Sequence, residues 1–202
     1  MPTKALLVAT TNTGKLREIT RILHGVPVEL KTLADFPHVA AAEETGSSFA
    51  ENARQKAMHY AAATGMMTMA EDSGFEVDAL NGDPGIYSAR YVREDATYDE
   101  RFAEIYRRVR EIGSSDRTAR FVCALSVADG PDALFETTAR VEGMLAEAPA
   151  GPNGFGYDPI FFYPPYGKTF GEVSDEEKCE VSHRGQAMRA FRSYLIRIRL
   201  RS

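Results

Sequence analysis

The apolar positions of this chain change period several times, and each change marks an element. Residues 5–9 (ALLVA) are a continuous apolar run, the pattern of a strand buried on both faces. The polar stretch TTNTGK follows. Leu16, Ile19, Ile22 and Leu23 then recur at helical spacing until Gly25 and Pro27 stop the helix. In SSFAENARQKAMHYAAATG, Ser48 and Glu51 predict a capping box and Gly65 a C-terminal stop. Phe49, Ala53, Ala57 and Tyr60 share one face of that helix, while Asn52 and Lys56 share another. Residues 66–70 read as a short buried strand ending at Glu71-Asp72-Ser73-Gly74. Alternation of Phe75, Val77 and Ala79 with Glu76 and Asp78 predicts a separate strand before a turn at residues 81–85. Phe102, Ile105, Tyr106 and Val109 predict a helix over Tyr98–Ile112. Strand-like stretches at 119–128 and 133–145 flank the turn signal ADGPD and predict a hairpin. Proline and glycine crowd residues 149–165, a functional loop region more than a linker. A last helix follows Ser182, with Ala187, Phe191, Leu195 and Ile198 on its apolar face. Early alternation of strand and helix with a late hairpin predicts an α/β layer built on a mixed sheet.

Composition narrows the class. A chain of 202 residues with 44% hydrophobic content is expected to fold, as one domain or two lobes. A formal charge of -5 argues against broad coating of nucleic acid. Cys123 and Cys179 lack metal-type spacing, so a reducing cytoplasm is the simpler reading. No apolar run approaches the roughly 20 residues of a membrane span, and MPTKALLVATTN lacks the features of a signal peptide. A soluble, cytoplasmic protein is expected. The arginines of residues 192–201 are read as complementing a helix C-terminus rather than as an RNA contact.

Three clusters carry candidate chemistry. VATTNTGKLREI resembles a phosphate loop without its usual parts. Leu16 stands where the P-loop has a Mg²⁺-binding hydroxyl, and Ala9 where it has its first glycine. A strand leading into a helix still aims backbone N–H groups at an anion. Thr10, Thr11 and Asn12 add side-chain donors and Lys15 a charge; the equal alternative is a plain connection with Asn12 or Thr13 as N-cap and Lys15 solvated. At EDSG, two adjacent carboxylates at a strand end are costly unless paired or holding a cation. Oxygen ligands of that kind suit Mg²⁺. Glu43-Glu44 offers further acid, and for Glu43 a solvated turn residue is the better reading. The third cluster, GFGYDPIFF with EEKCEVSHRGQ, joins aromatics, glycine freedom and a carboxylate suited to a flat heterocycle. His183 and Arg184 stand there at a helix start, with capping and surface charge as the alternative. A hydrolase triad of Ser73 and His183 with a nearby Asp lacks the G-x-S-x-G elbow around the serine and is set aside.

Together, ATTNTGKLREI, EETGSSFAENARQKA, AEDSGFEVDALNGDPGIYSARY, GFGYDPIFF and EEKCEVSHRGQA resemble the inosine triphosphate pyrophosphatases, the Ham1 or RdgB-type house-cleaning enzymes, over residues 6 to about 191. The resemblance implies a three-layer α/β fold, a single domain over residues 1–202 with two lobes flanking an active-site cleft around an elongated mixed sheet, and a homodimer. It implies Mg²⁺-dependent hydrolysis of the purine nucleoside triphosphates ITP, dITP and XTP to monophosphate and pyrophosphate. By position, Thr10, Thr11, Asn12, Thr13, Gly14, Lys15 and Lys56 match the triphosphate-binding residues. Glu44 and Asp72 match the metal-binding acids, with Asp72 also the general base, and Ser73 lies beside the substrate. Phe155, Gly156, Tyr157, Asp158, Lys178, His183 and Arg184 match residues that enclose the base and select a 6-oxo purine. Many bacterial members have Asp-Asp where this chain has Glu71-Asp72, which leaves open whether Glu71 positions metal or water, or acts as a base. Two alternatives stay open on sequence: a pyrophosphatase for pyrimidine or modified-base triphosphates, and a regulatory module that binds triphosphates without cleaving them.

Overall fold

The computed structural model describes residues 4–199; residues 1–3 and 200–202, including Arg201 of the basic C-terminal run, lie outside the described residues. In chain order the elements are β1 (Lys4–Val8), α1 (Thr13–Leu23), β2 (Val28–Thr32), α2 (Phe49–Thr64), β3 (Thr68–Val77) and α3 (Tyr98–Ile112). They continue with β4 (Thr118–Asp129), β5 (Asp132–Leu145), β6 (Phe161–Tyr163), β7 (Lys168–Thr169), α4 (Asp175–Val181) and α5 (His183–Arg199). The strands form a seven-stranded sheet in the order β2-β1-β3-β4-β5-β6-β7. Helical crossovers make β1 parallel to both β2 and β3, because parallel neighbours need a long connection. The sequence β5-β6-β7 is antiparallel. The chain is therefore an α/β protein with a mixed sheet, as its periodicity predicts. Among the described residues no helix is long and apolar enough to cross a membrane.

The chain divides into two compact units. The first runs to Asp72 and adds Cys123–Ala139 and the residues from Arg184; the second is Ser73–Val122 with Arg140–His183. The first unit has three layers. Leu6 and Val8 of β1, Met69 of β3 and Cys123, Leu125 and Val127 of β4 pack against Ile19 and Leu23 of α1 and against Ala187, Met188, Phe191 and Leu195 of α5. The intervening residues Leu7 and Ala70 face the other way, onto Ala57, Tyr60 and Ala61 of α2. Period-two alternation thus serves two helical layers at once, which is why residues 5–9 carry no polar position. The second unit has an aromatic core joining Phe75 and Val77, Phe102, Ile105 and Val109 of α3, Phe121, Phe161 and Phe170. Each such buried ring contributes about 1.5–3 kcal/mol.

The structure departs from the expectations in three ways. EDSG does not end a strand: β3 runs unbroken through it for 10 residues, so the separate strands at 66–70 and 75–79 are one, and Ala79 falls in a 3-10 turn (Asp78–Leu80). The polar run stays extended because its carboxylates find partners on both faces of the sheet. At α2, Ser48 accepts from the Glu51 N–H at 3.2 Å, but the Glu51 carboxylate returns to Ser47 instead, taking its N–H and its hydroxyl at 2.7 Å each. Gly65 closes α2 in the left-handed region at φ 66, as the sequence suggested. Finally, β2, β6, β7 and α4 were not foreseen. The alternation VELKT signals β2 weakly, and α4 has 7 residues held by a Ser174–Glu177 capping box rather than by an apolar stripe.

Candidate active site

The period of β3 decides the chemistry of the first unit. Glu71 falls on the side of Met69, toward α1 and α5, and Asp72 on the side of Ala70, toward α2. Glu71 is 4% exposed. Its Oε1 receives Lys15 Nζ at 3.1 Å and Arg184 Nε at 3.0 Å, and its Oε2 accepts from Cys123 Sγ at 3.0 Å. Arg184 Nη1 also donates to Glu18 of α1 at 2.6 Å. Two cations thus face two carboxylates in a buried, balanced cluster. Burial alone pushes the Glu71 carboxyl up, but Arg184, Lys15 and the Cys123 hydrogen bond together hold it well below the usual carboxylate range. The Cys123 thiol moves the opposite way, raised by burial and by the Glu71 charge, so it stays protonated and can donate.

Asp72 has different company. Its Oδ2 accepts from Asn52 Nδ2 at 3.0 Å, and its Oδ1 lies 3.3 Å from Lys56 Nζ, which also donates to Glu44 Oε1 at 2.8 Å. Asn52 and Lys56 stand one turn apart on α2, the spacing that places them on one face. Here one ammonium meets two carboxylates. Burial pushes the Asp72 carboxyl up and the Glu44 charge adds to that, outweighing Lys56 and Asn52. Lys56 is raised: burial disfavours its charge, but Asp72 and Glu44 more than compensate. The group Glu44–Lys56–Asp72 brings two carboxylates to one ammonium. Two carboxylates suit Mg²⁺, which is commonly held by one or two acids together with substrate phosphates. Among the described residues no three His, Cys, Asp or Glu side chains converge as a metal cage, so a cation here needs ligands from solvent or substrate.

The opening loop adds an anion-friendly terminus. Asn12 caps α1, its side-chain oxygen accepting from the Lys15 N–H at 3.0 Å, and Thr10 Oγ1 accepts from the Asn12 N–H at 3.2 Å. No acidic residue stands in the first turn of α1, so its positive end is not neutralised from within. Thr11, Asn12 and Thr13 are exposed and Gly14 is buried. Lys15 is not a solvated side chain, because its ammonium sits on Glu71.

In the second unit, Lys178 of α4 and Asp158 form an ion pair of 2.6 Å with side chains 3% and 2% exposed. The same Asp158 oxygen accepts from the Phe155 N–H at 2.7 Å, and Lys178 Nζ lies 4.4 Å from the centre of the Phe155 ring. Gly154 is obligatory here: its φ is 73, and a Cβ would meet Asp158 Oδ2 at 2.2 Å. Tyr157 turns into the core, stacked on Phe75 at 5.3 Å, with its hydroxyl donating to the Ser88 carbonyl at 2.8 Å. The buried His183 ring lies parallel to Phe121, 4.8 Å away. Ser73 is half-buried on β3, and Gly156 packs near Tyr98.

The structure therefore sorts the candidates into groups. Lys15, Glu71 and Arg184 meet on one side of the first unit's sheet, and Glu44, Lys56 and Asp72 on the other. Phe155, Asp158 and Lys178 meet in the second unit, whereas Tyr157 and His183 pack against its aromatic core. Arg184, grouped by sequence with His183, turns to Glu71 and Glu18 instead. Three partners were not foreseen in these roles: Asn52, Cys123 and Glu18. Asn52 was marked only by its helical spacing from Lys56, while Cys123 and Glu18 carry no sequence signal toward Glu71 or Arg184.

Comparison with known proteins follows the same lines. The model of the Ham1 family matches residues 6–194. The dITP/XTP pyrophosphatase of Listeria monocytogenes is 42% identical over 196 residues, covering 96% of this chain and 95% of its own. That of Geobacillus kaustophilus is 45% identical over 187 residues, covering 92% and 91%. A HAM1 protein structure from Coxiella burnetii superposes with a TM-score of 0.89 at 36% identity, over 96% of this chain and 99% of that one. With its sequence matched almost end to end and its fold shared, this chain belongs to the Ham1 family.

Proposed function

We propose that this protein is a Mg²⁺-dependent nucleoside triphosphate pyrophosphatase that converts dITP, ITP and XTP to the monophosphate and pyrophosphate. The observation that carries this reading is Asp72, a buried carboxylate gripped by Asn52 and Lys56, with Glu44 on the same ammonium. The relatives' name, dITP/XTP pyrophosphatase, supports the substrate class.

In the proposed reaction a water oxygen bonds to the α-phosphorus while the bond from that phosphorus to the bridging oxygen breaks, and pyrophosphate departs with the electron pair. Asp72, oriented by Asn52, takes the proton of the attacking water. Lys15, Lys56 and the α1 N-terminus face the negative charge of the triphosphate. Glu44 and Asp72 would hold Mg²⁺, which supplies neutralisation of phosphate charge. Glu71, already saturated by two cations and a thiol, acts as an anchor for Lys15 and Arg184 rather than as a ligand or base. The base is assigned to Phe155, Asp158 and Lys178, where a mismatched polar edge would leave a buried group without its partner. The reading extends to a cytoplasmic homodimer, which sedimentation tests.

The direct experiment is pyrophosphate release from a panel of nucleotides with and without Mg²⁺. Release from dITP well above dATP and dGTP, abolished by chelation, is expected. Orthophosphate as the first product would overturn the assignment.

A further inference from the structure

Cys123 is fully buried on β4, the neighbour of β3 in the sheet, yet it points its sulfur at the charged cluster around Glu71. Its surroundings are otherwise apolar: Met69, Leu125, Ala187 and Met188 belong to the same cluster. A cysteine there for packing alone would have no need to meet a carboxylate at 3.0 Å. The carboxylate it meets has one soft torsion, since the terminal rotation of a glutamate is broad and nearly two-fold. Lys15 and Arg184 both bind the same oxygen, Oε1, and Oε2 on the same buried carboxylate needs a donor of its own. The thiol supplies that donor and adds a second, independent restraint on the group.

We propose that Cys123 is a positioning residue: by donating to Oε2 of Glu71 it restrains that carboxylate from its second oxygen and so steadies the placement of Lys15 Nζ on Oε1. The inference rests on the triphosphate role of Lys15. It implies that Cys123 serves substrate binding without touching substrate. Lys15 binds the triphosphate before and during reaction, so loosening it weakens both states alike and is read in KM more than in kcat.

The test compares wild type, Cys123→Ala and Cys123→Ser. Loss of one hydrogen bond to a charged group predicts about a three- to tenfold rise in KM for dITP in Cys123→Ala, with kcat changed about twofold or less. Serine restores a donor, so KM in Cys123→Ser returns to within about twofold of wild type. A packing role predicts the reverse order, because a hydroxyl is worse than a methyl group in an apolar site. The Raman S–H band, isolated as wild type minus Cys123→Ala, provides a readout free of turnover. A hydrogen-bonded band that moves in Glu71→Gln is expected. A free-thiol band, equal KM values in all three proteins, or serine no better than alanine would overturn the inference while leaving the proposed function standing. A wild-type protein that releases no pyrophosphate from any nucleotide overturns the function, and with it the substrate role given to Cys123.

Discussion

Glu71 points to the α1 and α5 side of the sheet and meets two cations and a thiol, whereas Asp72, the next residue, points to the α2 side and meets one lysine and one amide. Their pKa values move in opposite directions, Glu71 well down and Asp72 up. Burial is similar for both, so the difference lies in charge balance. Arg184 and Lys15 both bear on Glu71 and hold its carboxyl low, the setting of the proposed anchor. Asp72 shares Lys56 with Glu44, whose charge adds to the upward push of burial, the setting of the proposed base and metal ligand. On the proposed reading, adjacent acids of the same chemistry are divided into scaffold and reagent by the alternation of one strand.

The sharpest way to break that contrast is to neutralise each acid in turn. Asp72→Asn is expected to cost about 10²- to 10⁴-fold in pyrophosphate release, the usual worth of a general base. Its thermal midpoint should be unchanged or higher, since a carboxylate held above its ordinary pKa is a burden when ionised. A steady-state assay paired with calorimetry checks both halves; near-normal turnover would remove Asp72 from the chemistry. Glu71→Gln should do the converse, losing about 3–5 kcal/mol in urea unfolding because Arg184 and Lys15 lose their buried counter-charge. A Glu71→Gln protein as stable as wild type would show that the cluster does not hold the first unit together.

Smaller changes sharpen the same division. Asn52→Ala removes the amide that holds Asp72 Oδ2, and about a tenfold loss of turnover with little loss of stability is expected from such an orienting contact. The pH dependence of stability carries the smallest signal at neutrality and the clearest sign. Glu71, with its folded pKa below the unfolded value of about 4.3, stabilises above that value, and the contribution is lost as pH falls through the folded pKa. Asp72, with its folded pKa above the unfolded value of about 3.9, favours folding only at lower pH, and that contribution is lost as pH rises through the folded pKa. Acid titration of stability should therefore flatten in Glu71→Gln and steepen in Asp72→Asn.

Much of the fold was legible because its signals are local. The apolar run at β1, the cap and stop of α2 and the spacing of α3 each lie within a few residues of the element they specify. The continuity of β3 is not legible: EDSG reads as the end of a strand until Lys15, Lys56 and Arg184 arrive from distant segments to pair its acids. The site divides in the same way. Asn52 and Lys56 announce their shared face by spacing, whereas the contact of Cys123 with Glu71 spans 52 residues and depends on strand order. The fate of Tyr157 was hidden too, since an aromatic in a glycine-rich loop looks alike whether it faces a ligand or, as here, stacks on Phe75.

The unbroken strand at Thr68–Val77 has a consequence for reading related genes. Insertion or deletion of a single codon before Glu71 would exchange the faces of every residue beyond it. The anchor would be handed to α2 and the reagent to α1 and α5, with no residue type altered. An alignment gap of odd length in this stretch should therefore mark a protein that has kept the family's composition and lost its catalysis.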